Sequence, residues 1–168
     1  KKAQAKTFKV STVLGLLLFI GTSFQTLAVH YSTPGRITFL SASYCVLIPF
    51  IAWIWLKEKP KAKNMWAALF CLIGVYFVSQ TSDSSGAVSF TPEEFIIGDL
   101  FSLASAITYA SHIVAVSKFT QEHDTIQLTV FPFFSSALFS WVATLLFEDH
   151  SGIVITTGGI LQILYLAI

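Results

Sequence analysis

Six long stretches of the chain contain no Asp, Glu, Lys or Arg, and short charged segments separate them. They cover residues 10–35, 37–56, 64–82, 100–117, 125–147 and 151–168, which are 26, 20, 19, 18, 23 and 18 residues long. A helix that crosses the hydrocarbon core of a bilayer needs about 20 mostly apolar residues. Each stretch is therefore long enough to span a membrane as a helix.

The apolar residues inside these stretches do not alternate with polar ones. Residues 16–20, for example, read Leu-Leu-Leu-Phe-Ile, whereas the strands of a membrane barrel require regular alternation. Only 11% of the residues are charged and 54% are hydrophobic, while soluble domains carry about 25% charged residues. We predict an all-α fold, a polytopic membrane helical bundle with six transmembrane helices. Because the chain opens without Met and stops at Ile168 inside an apolar stretch, we interpret it as a fragment of a longer protein.

The charged residues divide unevenly between the two sides that six spans would define. One side carries nine lysines and three acids, and the other carries Arg36 and six acids. Cytoplasmic loops of membrane proteins carry an excess of Lys and Arg. The N-terminal end and the lysine cluster at residues 57–63 are therefore expected in the cytoplasm.

The longest break between spans is rich in Ser and Gly and ends in Thr91-Pro92-Glu93-Glu94. This sequence is typical of a helix start, with Thr as N-cap, Pro in the first turn and acids near the positive end of the helix dipole. We predict a short interfacial helix there and a boundary between two halves of the chain in this loop.

Three segments of the second stretch and its flanks point to a family. They are Tyr-Ser-Thr-Pro-Gly-Arg-Ile-Thr-Phe-Leu-Ser at 31–41, Tyr-Cys-Val-Leu-Ile-Pro at 44–49 and Leu-Lys-Glu-Lys-Pro at 56–60. Together with Trp66, Leu-Ile-Gly-Val at 72–75 and Gly-Asp-Leu at 98–100, they resemble the EamA type of the drug/metabolite transporter superfamily. The resemblance covers nearly the whole chain from about Val13 and lies in the order and spacing of these segments.

The resemblance implies ten helices in two inverted five-helix repeats, of which this chain would supply helices three to eight. Residues 1–82 would be the end of the first repeat, a cytoplasmic N-terminal segment plus three spans. Residues 83–97 would be an external loop, and residues 98–168 the truncated start of the second repeat.

The same resemblance implies a function. The chain would belong to a transporter of small polar or amphipathic metabolites in a bacterial cell (inner) membrane, working by alternating access, with export as the expected direction. Its partners would be the lipid bilayer and a small-molecule substrate, with no nucleic acid, and a homodimer is left open. No enzymatic activity, cofactor or metal site is expected.

Polar side chains form a stripe along the fourth span. Ser102, Ser105, Tyr109 and His112 are spaced by three, four and three residues, so they share one helix face. Polar groups in hydrocarbon are costly, so the stripe should face protein or water. It could line a substrate cavity, with His112 contacting substrate or a proton. The alternative is helix packing, with hydroxyls bonded to their own preceding carbonyls.

Weaker candidates for the substrate pathway lie on the first two spans. Ser41, Tyr44 and Pro49 follow one another along the second span, and Gln25 lies in the first. Pro49 removes a backbone donor, which kinks a helix and frees the carbonyl four residues earlier. A static kink and a locally satisfied tyrosine are the structural alternatives.

Three further residues are assigned from charge or size. Arg36, the single base on the acidic side, could attract anionic solutes to the pathway or snorkel to lipid headgroups. Glu58 follows the second span among four lysines and is taken as structural. Gly74 is also taken as structural, permitting close helix approach together with Gly15, Gly21 and the glycines at 158–159.

Two other classes of membrane protein compete with a transporter. An intramembrane protease would need a motif such as His-Glu-x-x-His or a serine site facing a histidine, and a channel would need rings of charge or a carbonyl filter. None of these patterns occurs in the sequence. Both classes remain the alternatives to transport.

Overall fold

A computed structural model describes residues 2–57, 59–82, 91–121 and 124–147, together with residues 158, 161 and 165. These residues form helices and connecting turns, and no strand occurs among them. The helices are α1 (Lys2–Val29), α2 (Pro34–Ala42), α3 (Tyr44–Leu56), α4 (Ala62–Ser82), α5 (Pro92–Phe119) and α6 (Thr125–Phe147). The predicted all-α fold is confirmed.

Four segments are long and apolar enough to cross a membrane, namely Thr7–Val29, Pro34–Leu56, Pro92–Phe119 and Thr125–Phe147. A shorter apolar helix covers Ala62–Phe77. Of the sixth predicted span, only residues 158, 161 and 165 are described, and all three are helical. The chain is thus a multi-pass helical membrane protein, and the count of six spans stays a prediction.

The second span is divided into α2 and α3 at Ser43. The Ser43 hydroxyl donates to the carbonyl oxygen of Leu40 at 2.6 Å, so a side chain competes there with the backbone ladder. Pro49 lies six residues later, inside α3. The span is therefore interrupted at Ser43. A kink caused by Pro49 alone would instead be expected in the turn from Cys45 to Pro49.

The predicted start of a helix at Thr91 is present as a capping box. The Thr91 hydroxyl accepts from the Glu94 N–H at 3.3 Å, and the Glu94 carboxylate accepts from the Thr91 N–H at 2.7 Å. However, α5 then continues without a break to Phe119. The expected short interfacial helix is the first turn of the fourth span itself, and residues 92–97 of the expected external loop are helical.

Helix α1 packs chiefly against α5 and α6, while α2 and α3 pack against α4 and α5. The approach of α1 to α6 is closest at Gly15, where an added Cβ would lie 2.6 Å from Ser135 Cβ and 2.7 Å from the Pro132 carbonyl oxygen. Leu14, Leu128 and Ala115 form the adjoining apolar core. Close contact at Gly15 agrees with the role expected for a small residue between helices.

Gly74 differs from Gly15. A Cβ added at Gly74 would meet no atom of the described chain within 4 Å. The same holds for Gly158, whose neighbour at 159 lies outside the described residues. Among the described residues no helix packs on the face of α4 that carries Gly74, so the close helix approach expected there stays a prediction.

Candidate functional site

The two serines of the stripe lie in a closed contact between helices. Ser102 and Ser105 are completely buried, and their hydroxyls donate to the carbonyl oxygens of Gly98 and Ser102, each at 2.8 Å. Ser105 Oγ also lies 3.2 Å from Ser41 Oγ on α2. This half of the stripe has the hydrogen bonds of a packing interface between α2 and α5.

Further along α5, the stripe reaches a polar and aromatic group shared by three helices. The Tyr109 hydroxyl donates to Gln25 Oε1 on α1 at 2.9 Å. The ring of Tyr44 on α3 meets the Tyr109 ring edge-on, with centroids 6.3 Å apart. All three side chains are half-buried. We call Gln25, Tyr44 and Tyr109 the tyrosine–glutamine cluster.

A glycine on α1 makes room for the central ring of this cluster. A Cβ at Gly21 would lie 3.1 Å from Tyr109 Cε1 and 3.2 Å from Cδ1. The ring therefore rests on the α1 backbone, one turn before Gln25. The position of Tyr109 depends on the absence of a side chain at Gly21.

His112 is the next member of the stripe and bridges to α1. Its Nδ1 lies 3.0 Å from the carbonyl oxygen of Leu14. Because a carbonyl only accepts, Nδ1 carries the proton in this contact, and Nε2 of a neutral ring is then an acceptor. The histidine is held by α1 and keeps one nitrogen outside this hydrogen bond.

Arg36 forms a two-pronged ion pair with Asp99 where α2 and α5 begin. Arg36 Nε lies 2.7 Å from Asp99 Oδ1, and Arg36 Nη2 lies 2.6 Å from Oδ2. The guanidinium also lies 5.0 Å above the Phe95 ring centroid. The carboxylate offsets the charge that was expected to attract anions or reach lipid headgroups, and the pair ties the two helices together.

A cleft of about 460 Å³ lies between α3 and α4, apart from the tyrosine–glutamine cluster. Its walls carry Cys45, Ile48, Pro49 and Ala52 from α3 and Asn64, Ala67, Ala68 and Cys71 from α4, with Lys59 and Pro60 at the polar end. Pro49, predicted for the substrate pathway, lines this cleft. The predicted pathway residues thus occupy five places: a serine interface, the tyrosine–glutamine cluster, the contact of His112 with Leu14, an ion pair and the cleft.

Some partners were not foreseen from the sequence. Asp99 was not selected as a site residue, although it lies on the same predicted side as Arg36 and has the opposite charge. The contact of Cys71 with Cys45 could not be predicted from the sequence, because the two residues lie on different spans. Glu58 is outside the described residues. Among the residues that are described, no group of three or more His, Cys, Asp or Glu could hold a metal ion.

These contacts define a helical membrane protein with polar and aromatic side chains held between its spans. The family model for the EamA-like transporter family matches residues 1–80. The resemblance predicted from the sequence is thus confirmed over residues 1–80, where the chain is similar to this family.

Two curated relatives extend the match over most of the chain. The chain is 26% identical over 152 residues to an "Uncharacterized transporter" of Archaeoglobus fulgidus, a match that covers 88% of this chain and 46% of that protein. It is 24% identical over 161 residues to "Uncharacterized transporter YvbV" of Bacillus subtilis, covering 96% and 50%. The chain therefore spans about half the length of these relatives. No solved structure gives a significant match.

Proposed function

We propose that the chain is part of a membrane transporter that moves small polar or amphipathic metabolites out of the cell by alternating access. The family match and the names of both relatives support a transporter. The observation that carries the substrate class is the tyrosine–glutamine cluster. Its side chains offer hydrogen-bond donors, acceptors and ring surfaces, without a formal charge, in the middle of the bundle.

The side chains of the cluster could give up the hydrogen bond between them and form hydrogen bonds to a substrate instead. Tyr109 and Gln25 are joined by one hydrogen bond, and hydrogen bonds between membrane helices contribute only about 0.6 kcal/mol on average. A substrate with a hydroxyl, amide or amine group could replace this bond at low cost. The Tyr44 ring would cover an apolar part of the same molecule.

Alternating access requires that helices around a site change position relative to one another. The interruption at Ser43 directly precedes Tyr44, and Pro49 follows within the next two turns. In our proposal, α3 rotates at this point and carries the Tyr44 ring toward or away from Tyr109. The buried serine interface of α2 and α5 keeps the other half of this span in place.

His112 is proposed to contact substrate or a proton, because one turn separates it from Tyr109 and its Nε2 is not used by the Leu14 contact. Replacing it with Ala should alter the transport rate or its pH profile. If both are unaltered, His112 has only a packing role.

The orientation that goes with this proposal places the lysine-rich ends in the cytoplasm.

Transport is tested on the full protein reconstituted in vesicles, with a panel of radiolabelled amino acids, sugars and nucleosides. We expect saturable uptake and counterflow for at least one metabolite. Tyr109→Phe and Gln25→Leu should raise the KM for that metabolite severalfold. Thr26→Val is the matched control, because Thr26 is exposed and bonds only to the Thr22 carbonyl of its own helix.

The outcomes separate the competing classes. Flux without saturation or counterflow would indicate a channel, and conversion of the metabolite would indicate an enzyme. If transport is saturable but the two cluster variants match Thr26→Val, the substrate binds elsewhere and the assignment of the cluster fails.

A further inference from the structure

The two cysteines of the chain meet across α3 and α4. Cys71 Sγ–H donates to Cys45 Sγ at 3.6 Å, close to the contact distance of two unbonded sulfur atoms. Cys71 is exposed and Cys45 is half-buried. Both line the cleft between α3 and α4, whose other end is formed by Lys59, Pro60 and Asn64. The two thiols therefore lie together on the wall of this cleft.

We propose that Cys45 and Cys71 form a dithiol site that binds trivalent arsenic compounds carrying one organic group. Binding would convert R–As=O and two thiols into R–As(S–Cys)₂ and water. Two As–S bonds form, the arsenic–oxygen bonds break, and both thiol protons leave with the oxygen. Arsenic stays trivalent, so the step needs neither an oxidant nor a reductant.

Charge favours this ligand over a bare metal ion. The arsenic adduct is neutral, whereas one Cu(I) held by two thiolates leaves a net negative charge, which is costly away from water. Zinc normally takes four protein or water ligands, and the described residues supply no third His, Cys, Asp or Glu at this place.

Geometry points the same way. A pyramidal arsenic atom holds two sulfurs almost in contact, as they are here, while a linear two-coordinate ion would force them apart. The organic group has a place as well, because Ile48, Pro49, Ala52 and Ala67 make the nearby walls apolar. The cleft volume of about 460 Å³ lies within the usual range of small-molecule sites.

The test uses the purified full protein in detergent, with phenylarsine oxide as the probe. We expect one arsenic bound per chain with the loss of two free thiols from this pair, and release by 2,3-dimercaptopropanol but not by 2-mercaptoethanol. In Cys45→Ser and in Cys71→Ser, 2-mercaptoethanol should also release the arsenic, because only one thiol of the pair remains to hold it. Each single variant should still react with N-ethylmaleimide at the other cysteine of the pair, which shows that this thiol is accessible.

Two results would overturn the proposal: one arsenic bound for each thiol lost, or both thiols remaining free at saturating probe. Both are read on the unsubstituted protein, so the test stands even where a serine variant does not fold. Size-exclusion chromatography checks the fold of each variant. The site does not depend on the proposed transport, since binding is measured without flux.

Discussion

The contact of α1 with α5 and α6 differs sharply from the contact of α3 with α4. In the first region, backbones approach so closely that Gly15 and Gly21 have no room for a side chain without displacing a neighbour. In the second, a cleft opens between the two helices beside the contact of Cys45 with Cys71, and an added Cβ at Gly74 of α4 would meet no described atom within 4 Å. Similar small residues on apolar helices thus occur in both a tight and an open environment.

The comparison indicates that the two walls of the candidate site differ in how tightly they are packed. Tight packing fixes Tyr109 and His112 of α5 against α1, which carries Gln25, so we expect one wall of the candidate site to be rigid. The other wall, α3, contains Pro49, begins at the Ser43 interruption and borders the cleft. We expect substitutions in the tight region to change stability most, and those in the open region to change stability least.

The largest effect is expected for Gly15→Val. Its Cβ would lie 2.7 Å from the Pro132 carbonyl oxygen, a backbone atom that cannot turn aside. Overpacking of this kind costs about 1–3 kcal/mol. Unfolding of the purified protein by SDS titration in mixed micelles should show this loss in the free energy of unfolding.

Gly74→Val is the matched control for Gly15→Val, because it makes the same change in an apolar helix with open space around it. It should stay within about 0.5 kcal/mol of the parent, as exposed substitutions usually do. Equal losses for the two variants would mean that the tight and open regions do not differ in packing.

A smaller loss, about 1 kcal/mol, is expected for Gly98→Ala at the other end of the tight region. The added Cβ would lie 2.7 Å from Ser32 Cβ on the turn between α1 and α2. Ser32→Gly in the same chain should recover part of the loss, measured by the same titration. If the second substitution recovers nothing, the clash with Ser32 is not the cause.

The ion pair of Arg36 and Asp99 should contribute less, about 0.2–1 kcal/mol. The Arg36 side chain is 47% exposed and that of Asp99 26%, so water and salt screen the attraction. A double-mutant cycle with Arg36→Gln and Asp99→Asn should give this coupling at low salt and a smaller one at high salt. A coupling near zero at both salt concentrations would show that the two charges do not stabilise the contact of α2 with α5.

Apart from the Gly74→Val control, the smallest change in the free energy of unfolding is expected within the tyrosine–glutamine cluster. Tyr109→Phe removes one hydrogen bond to Gln25 and should cost about 0.6 kcal/mol. The cycle with Gln25→Leu should show that the two losses are coupled. A loss of several kcal/mol would mean that the hydroxyl is a fixed structural element, unsuited to exchange partners with a substrate.

Features set by neighbours in sequence were predicted well. The helix start predicted at Thr91 is present, and Glu94 completes a capping box there. The break in the second span at Ser43 was not predicted, because serine side chains also bond to preceding carbonyl groups within continuous helices. The sequence also could not say which helix faces Gly74, because a small residue in an apolar span does not identify its neighbour.

Charge-free stretches of about 20 residues were sufficient to determine that the chain forms apolar helices, since the length and polarity of a span are local properties that the bilayer requires. Only the tertiary structure decided which polar groups meet. Tyr109 and Gln25 are 84 positions apart, Arg36 and Asp99 are 63 apart, and Cys45 and Cys71 are 26 apart. Such pairs depend on how helices rotate and slide against one another, and that is set by side-chain packing over whole helix faces, which no local pattern encodes.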